Sequence, residues 1–246
     1  MTNKKIAIIG GSGLTDLPFL KNTRREIART PYGDPSSPFL LGEFEQHEVV
    51  FMQRHGVSHS IPPHKVNYRA NLWALKSMQV EEVIAVAATG GIQAELGPQS
   101  IVIPHQIIDY TYGREHTYFD GSKNQVHHID FSEPYAEAVR QRLINAAKAA
   151  KVDIIDSGVY AATQGPRLET AAEIDRMEAD GATIVGMTGM PEAALARELE
   201  LDYACLSLVV NLAAGRSESE ISLDEIKENM RKGMGNITKL MEQALA

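Results

Sequence analysis

Cysteine is almost absent from this sequence, since Cys205 is the only one among 246 residues. One thiol excludes an intramolecular disulfide, a four-cysteine metal site and a zinc ribbon. Cys205 lies in the apolar run 203–210, where cysteine usually packs as a small hydrophobic side chain, a reactive thiol being the alternative. This cysteine usage indicates a reducing compartment, and we expect a cytoplasmic location.

Long apolar runs and basic clusters are also missing. No stretch approaches the roughly 18 apolar residues of a membrane-spanning helix, and the run 6–9 is shorter than the about 7–15 residues of a secretory signal. The net charge is −8, from 24 Lys and Arg against 32 Asp and Glu, and no basic cluster could neutralise nucleic-acid phosphates. We therefore expect no membrane or nucleic-acid partner, and an anionic ligand needs a local site.

The pattern that is present alternates β-branched apolar runs with helical periodicity, which predicts an α/β fold with a largely buried sheet. Neither repeats nor polar linkers divide the chain, so residues 1–246 are expected to form a single domain. The predicted strands are 5–9, 49–54, 82–88, 100–104, 157–161, 183–187 and 203–210. The predicted helices are 65–78, 134–150, 170–180, 191–199 and 223–245, with Ser132 and Ser222 as N-caps of the second and the last.

A glycine-rich turn at residues 10–13 follows the first predicted strand. Its N–H groups and the Ser12 hydroxyl can cradle phosphate oxygens, although a tight turn without a ligand explains the motif equally well. The dinucleotide-binding fingerprint is excluded because Asp16 stands where that motif needs its third glycine.

Arg54 and His55 end the second predicted strand. A guanidinium can grip phosphate with two N–H groups and the histidine adds a donor, while a solvated surface pair is the alternative. A zinc site at His55, His59 and His64 is disfavoured, because their spacing matches no familiar pattern and no carboxylate or cysteine completes it.

Small or adaptable side chains follow two further strands. At Ala87 and Ala88 a ligand could lie against bare backbone, or the strand could simply turn closely into a helix. Met187 could cover the flat face of a ligand or belong to the core. Thr188 could offer its hydroxyl and a helix N-terminus to an anion or be a plain helix cap.

Glu169 and Asn211 could recognise a heterocycle. Glu169 can accept an N–H or interact with a helix dipole, and Asn211 can read a base edge or cap a strand. The carboxyl ends of strands in an α/β sheet form its ligand site, so these residues should converge there. Residues 109–130 form a long segment without periodicity, which suggests a lid or a subunit contact.

Together these motifs resemble the trimeric purine nucleoside phosphorylase and methylthioadenosine phosphorylase family. The resemblance runs from Ile6 to the last helix and rests on GGSG, RHG, PPHKVNYRANLWALK, ATGG, GPRLET and GMTGMPE. It implies a nucleoside-phosphorylase-like α/β fold with a mixed, partly barrel-like sheet flanked by helices. It also implies a homotrimer and pentosyl transfer to inorganic phosphate, the co-substrate, without a metal or other cofactor.

The resemblance also assigns roles to residues. The implied phosphate-binding residues are Ser12, Arg54, His55, Ala87, Ala88 and Thr188. Met187 would lie against the ribose, and His128 would reach across the trimer interface into the neighbouring site.

The base-facing residues look like those of the 6-oxopurine phosphorylases. The adenine-type enzymes have aspartates where this chain has Asn211 and Ala213, and they lack the glutamate at Glu169. Hypoxanthine and guanine carry an N1–H that Glu169 can accept, while Asn211 can serve O6 and N7 and stabilise the departing base. Adenine would leave that carboxylate without a partner.

The 5′ end of the nucleoside meets a different pattern. Ordinary 6-oxopurine phosphorylases hold the 5′-hydroxyl with a histidine near the last helix, and this chain has no histidine after His128. Leu223 and Ile226 suit a methylthio group instead. The resemblance therefore implies S-methyl-5′-thioinosine as substrate, with inosine and guanosine as the alternative and methylthioadenosine behind them.

Overall fold

The computed structural model describes residues 4–121 and 125–246, and within them ten strands form one mixed sheet. The strands are β1 (Lys5–Gly10), β2 (Lys21–Glu26), β3 (Phe39–Phe44), β4 (His47–Gln53), β5 (Glu82–Gly91), β6 (Ile101–Val102), β7 (Gln106–Asp109), β8 (Val159–Ala162), β9 (Ile184–Gly186) and β10 (Asp202–Leu212). The α-helices are α1 (Tyr68–Ser77), α2 (Glu137–Ala150), α3 (Ala171–Ala179), α4 (Gly189–Glu198) and α5 (Leu223–Leu245).

The sheet branches at β5. Its order is β2-β3-β4-β1-β5-β9-β8-β7, and β10 pairs with β5 along its other edge and also with β6. The first half of β5 runs parallel to β1, whereas its last residues, Gly90 and Gly91, pair antiparallel with β9. This mixed sheet with flanking helices confirms the predicted fold class.

Alternate residues of the central strands face two apolar layers. In β1, Ile6 and Ile8 pack into one cluster with side chains of α2 and α5, while Ala7 and Ile9 pack into another with those of α1 and α4. Successive side chains of a strand point to opposite faces, so a strand covered on both faces reads as a continuous apolar run. That run is why the sequence predicts the buried parts of β1, β5 and β10. Cys205 is buried in β10, as predicted.

Helix boundaries follow capping where packing allows it. Ser222 accepts a hydrogen bond from the Glu225 N–H and begins α5 as predicted. The prediction that Ser132 is the N-cap of α2 was wrong, because α2 begins only at Glu137. Tyr135 is buried and stacks on Tyr203 of β10, so packing against the sheet holds the preceding residues out of the helix.

Three strands, β2, β3 and β7, have no counterpart among the predicted elements, and β5 is longer than predicted. Every residue of β2 is exposed and its sequence, KNTRRE, has no apolar alternation to reveal it. β5 continues through Gly90 and Gly91, where the glycines predict a turn. Glycine is a poor strand former, so only pairing with β9 and β10 extends the strand there.

Much of the segment 109–130 is packed against the protein. Tyr118 is buried and its hydroxyl donates to the Arg69 carbonyl oxygen at 2.8 Å. The Glu198 carboxylate accepts from the Thr117 hydroxyl at 2.6 Å. Residues 122–124 lie outside the described residues, so only part of the predicted lid can be compared. No helix in the described ranges is long and apolar enough to cross a membrane.

Candidate active site

The carboxyl ends of β1, β4, β5 and β10 open on a cavity of about 350 Å³, completed by the segments before α3, α4 and α5. Eleven of the thirteen residues predicted for the site line it. These are Ser12, Arg54, His55, Ala87, Ala88, Glu169, Met187, Thr188, Asn211, Ala213 and Ile226. Their roles stay predictions, but the sheet does bring them to one place. His128 and Leu223 do not line this cavity.

The glycine turn after β1 lies close against β5. A Cβ at Gly11 would lie 2.5 Å from the Val86 carbonyl oxygen, so only glycine permits this approach. Ser12 lines the cavity, and its Oγ is 3.3 Å from Nε2 of His59, which sequence reasoning missed as a cavity residue. Among residues 4–121 and 125–246 no group of three His, Cys, Asp or Glu side chains is placed to hold a metal.

Arg54 is held by a carboxylate that sequence reasoning did not identify. Its Nε and Nη2 donate to the two oxygens of Glu192 at 2.7 and 2.8 Å, and the Tyr203 hydroxyl donates to the same carboxylate. Arg54 is 1% exposed and Glu192 0%. Burial opposes the charge of Arg54, but the Glu192 carboxylate raises the pKa of the guanidinium above its ordinary value.

This pairing limits what Arg54 offers to an anion. Nη1 donates to the Val86 carbonyl oxygen at 2.9 Å, so three of the five guanidinium hydrogens are committed and one hydrogen each on Nη1 and Nη2 is left. The positive charge is already balanced by Glu192. The sequence feature that could have indicated Glu192 as a site residue is its place in the first turn of α4, directly after the GMTGMP motif.

His55 lines the cavity, and in the ligand-free protein its ring has one nitrogen as a donor and the other as an acceptor, whereas the sequence suggested only a donor. Its Nδ1 lies 2.9 Å from the Ile61 carbonyl oxygen, and a carbonyl only accepts, so Nδ1 carries the proton. Burial, and after it the charge of Arg54, lowers the pKa of His55 from 6.5 to about 4. Near neutral pH Nε2 is therefore bare and suits a hydroxyl group of phosphate or sugar.

Acid should destabilise the ligand-free protein through His55. The unfolded chain binds this proton near pH 6.5 and the folded protein only near 4, so stability falls as the pH drops through that window. A shift of this size corresponds to about 3 kcal/mol at most. Urea unfolding at pH 7 and 4.5 should show a smaller loss for His55→Gln than for the unmodified protein; equal losses would contradict the assignment.

A β-bulge places Asn211 in the cavity. The register between β10 and β5 shifts between Val209 and Asn211, with Val210 as the extra residue. Such a bulge redirects the side chains beyond it. One amide N–H of Asn211 donates to the Leu212 carbonyl oxygen at 2.7 Å, which leaves the second N–H and the amide oxygen for a ligand.

Thr163 orients Glu169. The buried Thr163 hydroxyl donates to Oε1 of Glu169 at 2.6 Å, with the Gly186 carbonyl oxygen farther away at 3.3 Å. A hydroxyl has a single proton, so the shorter contact engages one carboxylate oxygen and leaves the other to accept from a ligand. Sequence reasoning identified Glu169 as a site residue but missed this partner.

Thr188 lines the cavity, and its side chain lies against the hydroxyl of Tyr160. It precedes α4, but its side chain makes no capping hydrogen bond. Met190 has non-helical backbone angles, so the regular turns begin at Pro191, as predicted, and Thr188 is not at their N-terminus. The expected helix-terminus contribution at Thr188 is thereby reduced to the hydroxyl and local N–H groups.

One wall of the cavity is apolar and contains Ile221, Ile226 and Met230. The prediction that Leu223 contacts the 5′ end of the ligand is wrong, because Leu223 is 69% exposed and does not line the cavity. It is the first residue of α5, and helical side chains lean towards the N-terminus, so its side chain projects beyond the helix. His128 is also exposed in the single chain, and its service to a neighbouring site stays a prediction.

Known proteins are similar to this chain in sequence and in fold over nearly their whole length. A probable S-methyl-5′-thioinosine phosphorylase of Pseudomonas syringae pv. tomato is 53% identical over 98% of both chains. A 6-oxopurine nucleoside phosphorylase of Pyrococcus furiosus is 45% identical over 98% of this chain and 92% of its own. The methylthioadenosine phosphorylase of Schistosoma mansoni, solved with adenine, superposes with a TM-score of 0.94 at 33% identity, covering 98% of this chain and 91% of that one.

A family model agrees with these relatives and with the fold. The model of the phosphorylase superfamily matches residues 5–246, a range that includes all ten strands and all five α-helices of the described residues. The shared fold, the family match and the cavity at the strand ends lead to one assignment: this chain belongs to the phosphorylase superfamily.

Proposed function

We propose that this chain cleaves S-methyl-5′-thioinosine with inorganic phosphate, giving hypoxanthine and 5-methylthioribose 1-phosphate. The observation that carries the proposal is one cavity that combines a Thr163-oriented Glu169 with an apolar wall at Ile221, Ile226 and Met230. The carboxylate suits the N1–H of a 6-oxopurine. The apolar wall suits a methylthio group, because burying that group there removes apolar surface from water. The name of the Pseudomonas syringae relative supports the same substrate.

A general inosine and guanosine phosphorylase is the second candidate. The Pyrococcus furiosus relative, named a 6-oxopurine nucleoside phosphorylase, favours it, and Glu169 and Asn211 serve its substrates equally well. Methylthioadenosine is a weaker candidate, because its N1 has no proton for Glu169, even though the Schistosoma mansoni structure has this activity in its name.

In the proposed reaction an oxygen of hydrogen phosphate attacks the anomeric carbon as the glycosidic bond breaks. The purine leaves with the bonding electron pair as an anion. It takes up one proton to become hypoxanthine, and hydrogen phosphate loses one proton as the sugar phosphate forms. The phosphate dianion stabilises positive charge on the ribose, and the free N–H of Asn211 stabilises negative charge on the base. Glu169 orients the base, and Met187 lies against the ribose, so positioning adds to the electrostatic effect.

The surroundings of the site belong to the same proposal. We infer a single-domain chain in a cytoplasmic homotrimer in which His128 enters the neighbouring site. Exposure of His128 in the single chain is compatible with that role. Phosphate and nucleoside would be the only small-molecule partners, with no metal or other cofactor.

Base release measured side by side from four nucleosides tests the function. We expect phosphate-dependent release with kcat/KM highest for methylthioinosine, then inosine, with methylthioadenosine and adenosine lowest. The 5′-methylthio preference should be about 10-fold or more, since transfer of such a group to an apolar wall is worth about 1–3 kcal/mol. Inosine equal to or above methylthioinosine would favour the second candidate, and no release from any nucleoside would overturn both.

A further inference from the structure

Arg114 is a buried cation that neither the family motifs nor the cavity lining include. It is 9% exposed, and all five N–H groups of its guanidinium have an acceptor. Nε donates to the Gln164 side-chain oxygen at 3.0 Å. Nη2 donates to the carbonyl oxygens of Thr163 and Gln164 at 3.0 and 2.8 Å, and Nη1 to those of Met187 and Met190 at 3.0 and 2.6 Å.

These five acceptors join two cavity-forming segments that are far apart in sequence. One is the segment 163–164, which leads into Glu169, and the other is the segment 187–190, which contains Thr188. The two segments also touch directly, because Gly165 has a φ of +61° and a Cβ there would lie 2.5 Å from Sδ of Met187. A small displacement of either segment therefore changes the cavity.

None of the five acceptors is a carboxylate, so the charge of Arg114 is held by neutral dipoles and by the Tyr68 ring, whose centroid is 5.6 Å from Cζ. A guanidinium taken out of water in this way is expensive, and an apolar side chain would anchor a segment at less cost. The guanidinium adds a planar fork that fixes the distance and angle between two backbone segments. A lysine has the same charge but donates from one point and cannot reproduce that geometry.

We propose that Arg114 is a positioning residue for base selection in this enzyme. It acts through Thr163, whose carbonyl oxygen accepts from Arg114 and whose hydroxyl donates to Oε1 of Glu169. Holding Thr163 at a fixed distance from the Met187–Met190 segment sets the Glu169 carboxylate relative to the ribose and phosphate side of the cavity. The inference deepens the proposed function and rests on it.

Arg114→Lys tests the inference through substrate selectivity. We expect kcat/KM for methylthioinosine to fall about 10- to 100-fold, the usual cost of a misplacement near 1 Å, with a raised KM. The ratio of kcat/KM for methylthioinosine to that for methylthioadenosine should fall at least about fivefold, since Glu169 no longer meets N1–H correctly. Partial unfolding would lower kcat for both nucleosides and leave this ratio and both KM values unchanged.

Arg69→Lys is the matched control. Arg69 contacts the residues that directly follow Arg114 in the chain. Its Nη1 donates to the Thr117 carbonyl oxygen at 3.4 Å, and its Nη2 pairs with Glu115. The ratio of kcat/KM for methylthioinosine to that for methylthioadenosine should be the same in Arg69→Lys as in the unmodified protein. If Arg114→Lys does not fold, Gln164→Met removes the Nε acceptor of Arg114, together with the acceptor of the Tyr112 N–H, and should lower the ratio about twofold, a milder form of the same defect.

The outcomes separate the two proposals. An unchanged selectivity ratio in folded Arg114→Lys, or in Gln164→Met if the first variant does not fold, overturns the positioning role and leaves the proposed function standing. Absence of base release from the unmodified protein overturns the proposed function and this inference with it. A ratio lowered in the Arg114 or Gln164 variant but not in Arg69→Lys supports the positioning role.

Discussion

Glu169→Gln should reverse the base preference of the enzyme. The Thr163 hydroxyl donates to Oε1 of Glu169 at 2.6 Å, and in the variant we expect it to hold the amide oxygen in that place. The amide NH₂ then faces the base, where it opposes the N1–H of hypoxanthine and matches the bare N1 of adenine. We expect kcat/KM for methylthioinosine to fall about 100-fold or more and that for methylthioadenosine to fall far less or rise.

Two further variants make this test specific. Glu178→Gln is the same change on an exposed residue of α3 that pairs with Arg216, and it should leave the preference unchanged. Adding Thr163→Val to Glu169→Gln removes the hydroxyl that orients the amide, so part of the 6-oxopurine preference should return. Steady-state kinetics with both nucleosides decides the matter; an undiminished preference for methylthioinosine in Glu169→Gln would sink the assignment of Glu169 to N1–H.

Glu192→Gln should strongly destabilise the folded protein. The substitution keeps the shape of the side chain but leaves the fully buried Arg54 without its counter-charge. Removing one partner of a buried ion pair typically costs about 3–5 kcal/mol. For a chain of this size that corresponds to a melting temperature lower by roughly 10 °C, measurable by calorimetry.

Phosphate should partly reverse this loss. In the unmodified protein Glu192 already balances Arg54, whereas in the variant a bound phosphate dianion would supply the missing charge. Ligands that bind only the folded state stabilise it by mass action, so phosphate should raise the melting temperature more in Glu192→Gln than in the unmodified protein. Glu228→Gln, which disrupts an exposed pair with Arg231, is the control and should have no measurable effect. Equal stabilities of Glu192→Gln and unmodified protein would contradict the role of Glu192 as the counter-charge of Arg54.

Sequence patterns predicted the central strands and missed β2, β3 and β7, although β3 is partly buried. β1, β5 and β10 are apolar on both faces, and that continuous run is readable without any structure. β2 is a fully exposed edge strand that pairs with β3, and nothing in its composition reveals it. The start of α2 was wrong because packing of Tyr135 against the sheet outweighed the local capping signal at Ser132.

For the cavity, local motifs identified the residues but not their partners. Each glycine-rich or polar strand end is a short sequence signal, and the parallel arrangement of strands brings such ends together. The partner of Arg54 lies 138 residues away, and the acceptors of Arg114 lie 49 to 76 residues away. Pairs at such separations leave no periodicity or spacing to detect. The prediction that Leu223 lines the cavity was wrong for a related reason. Which side chains of α5 face the cavity depends on where the helix begins relative to the sheet.

The sequence by itself determined the α/β class and most of the residues that line the cavity at the strand ends, because these follow from local apolar patterning and short motifs. Tertiary structure alone decided the charge balance and the proton positions. It neutralised Arg54 with Glu192, left Nε2 of His55 bare, directed the Thr163 proton to Glu169 and satisfied all five N–H groups of Arg114. Hydrogen bonds and burial depend on which atoms meet in space, and chain order does not contain that information.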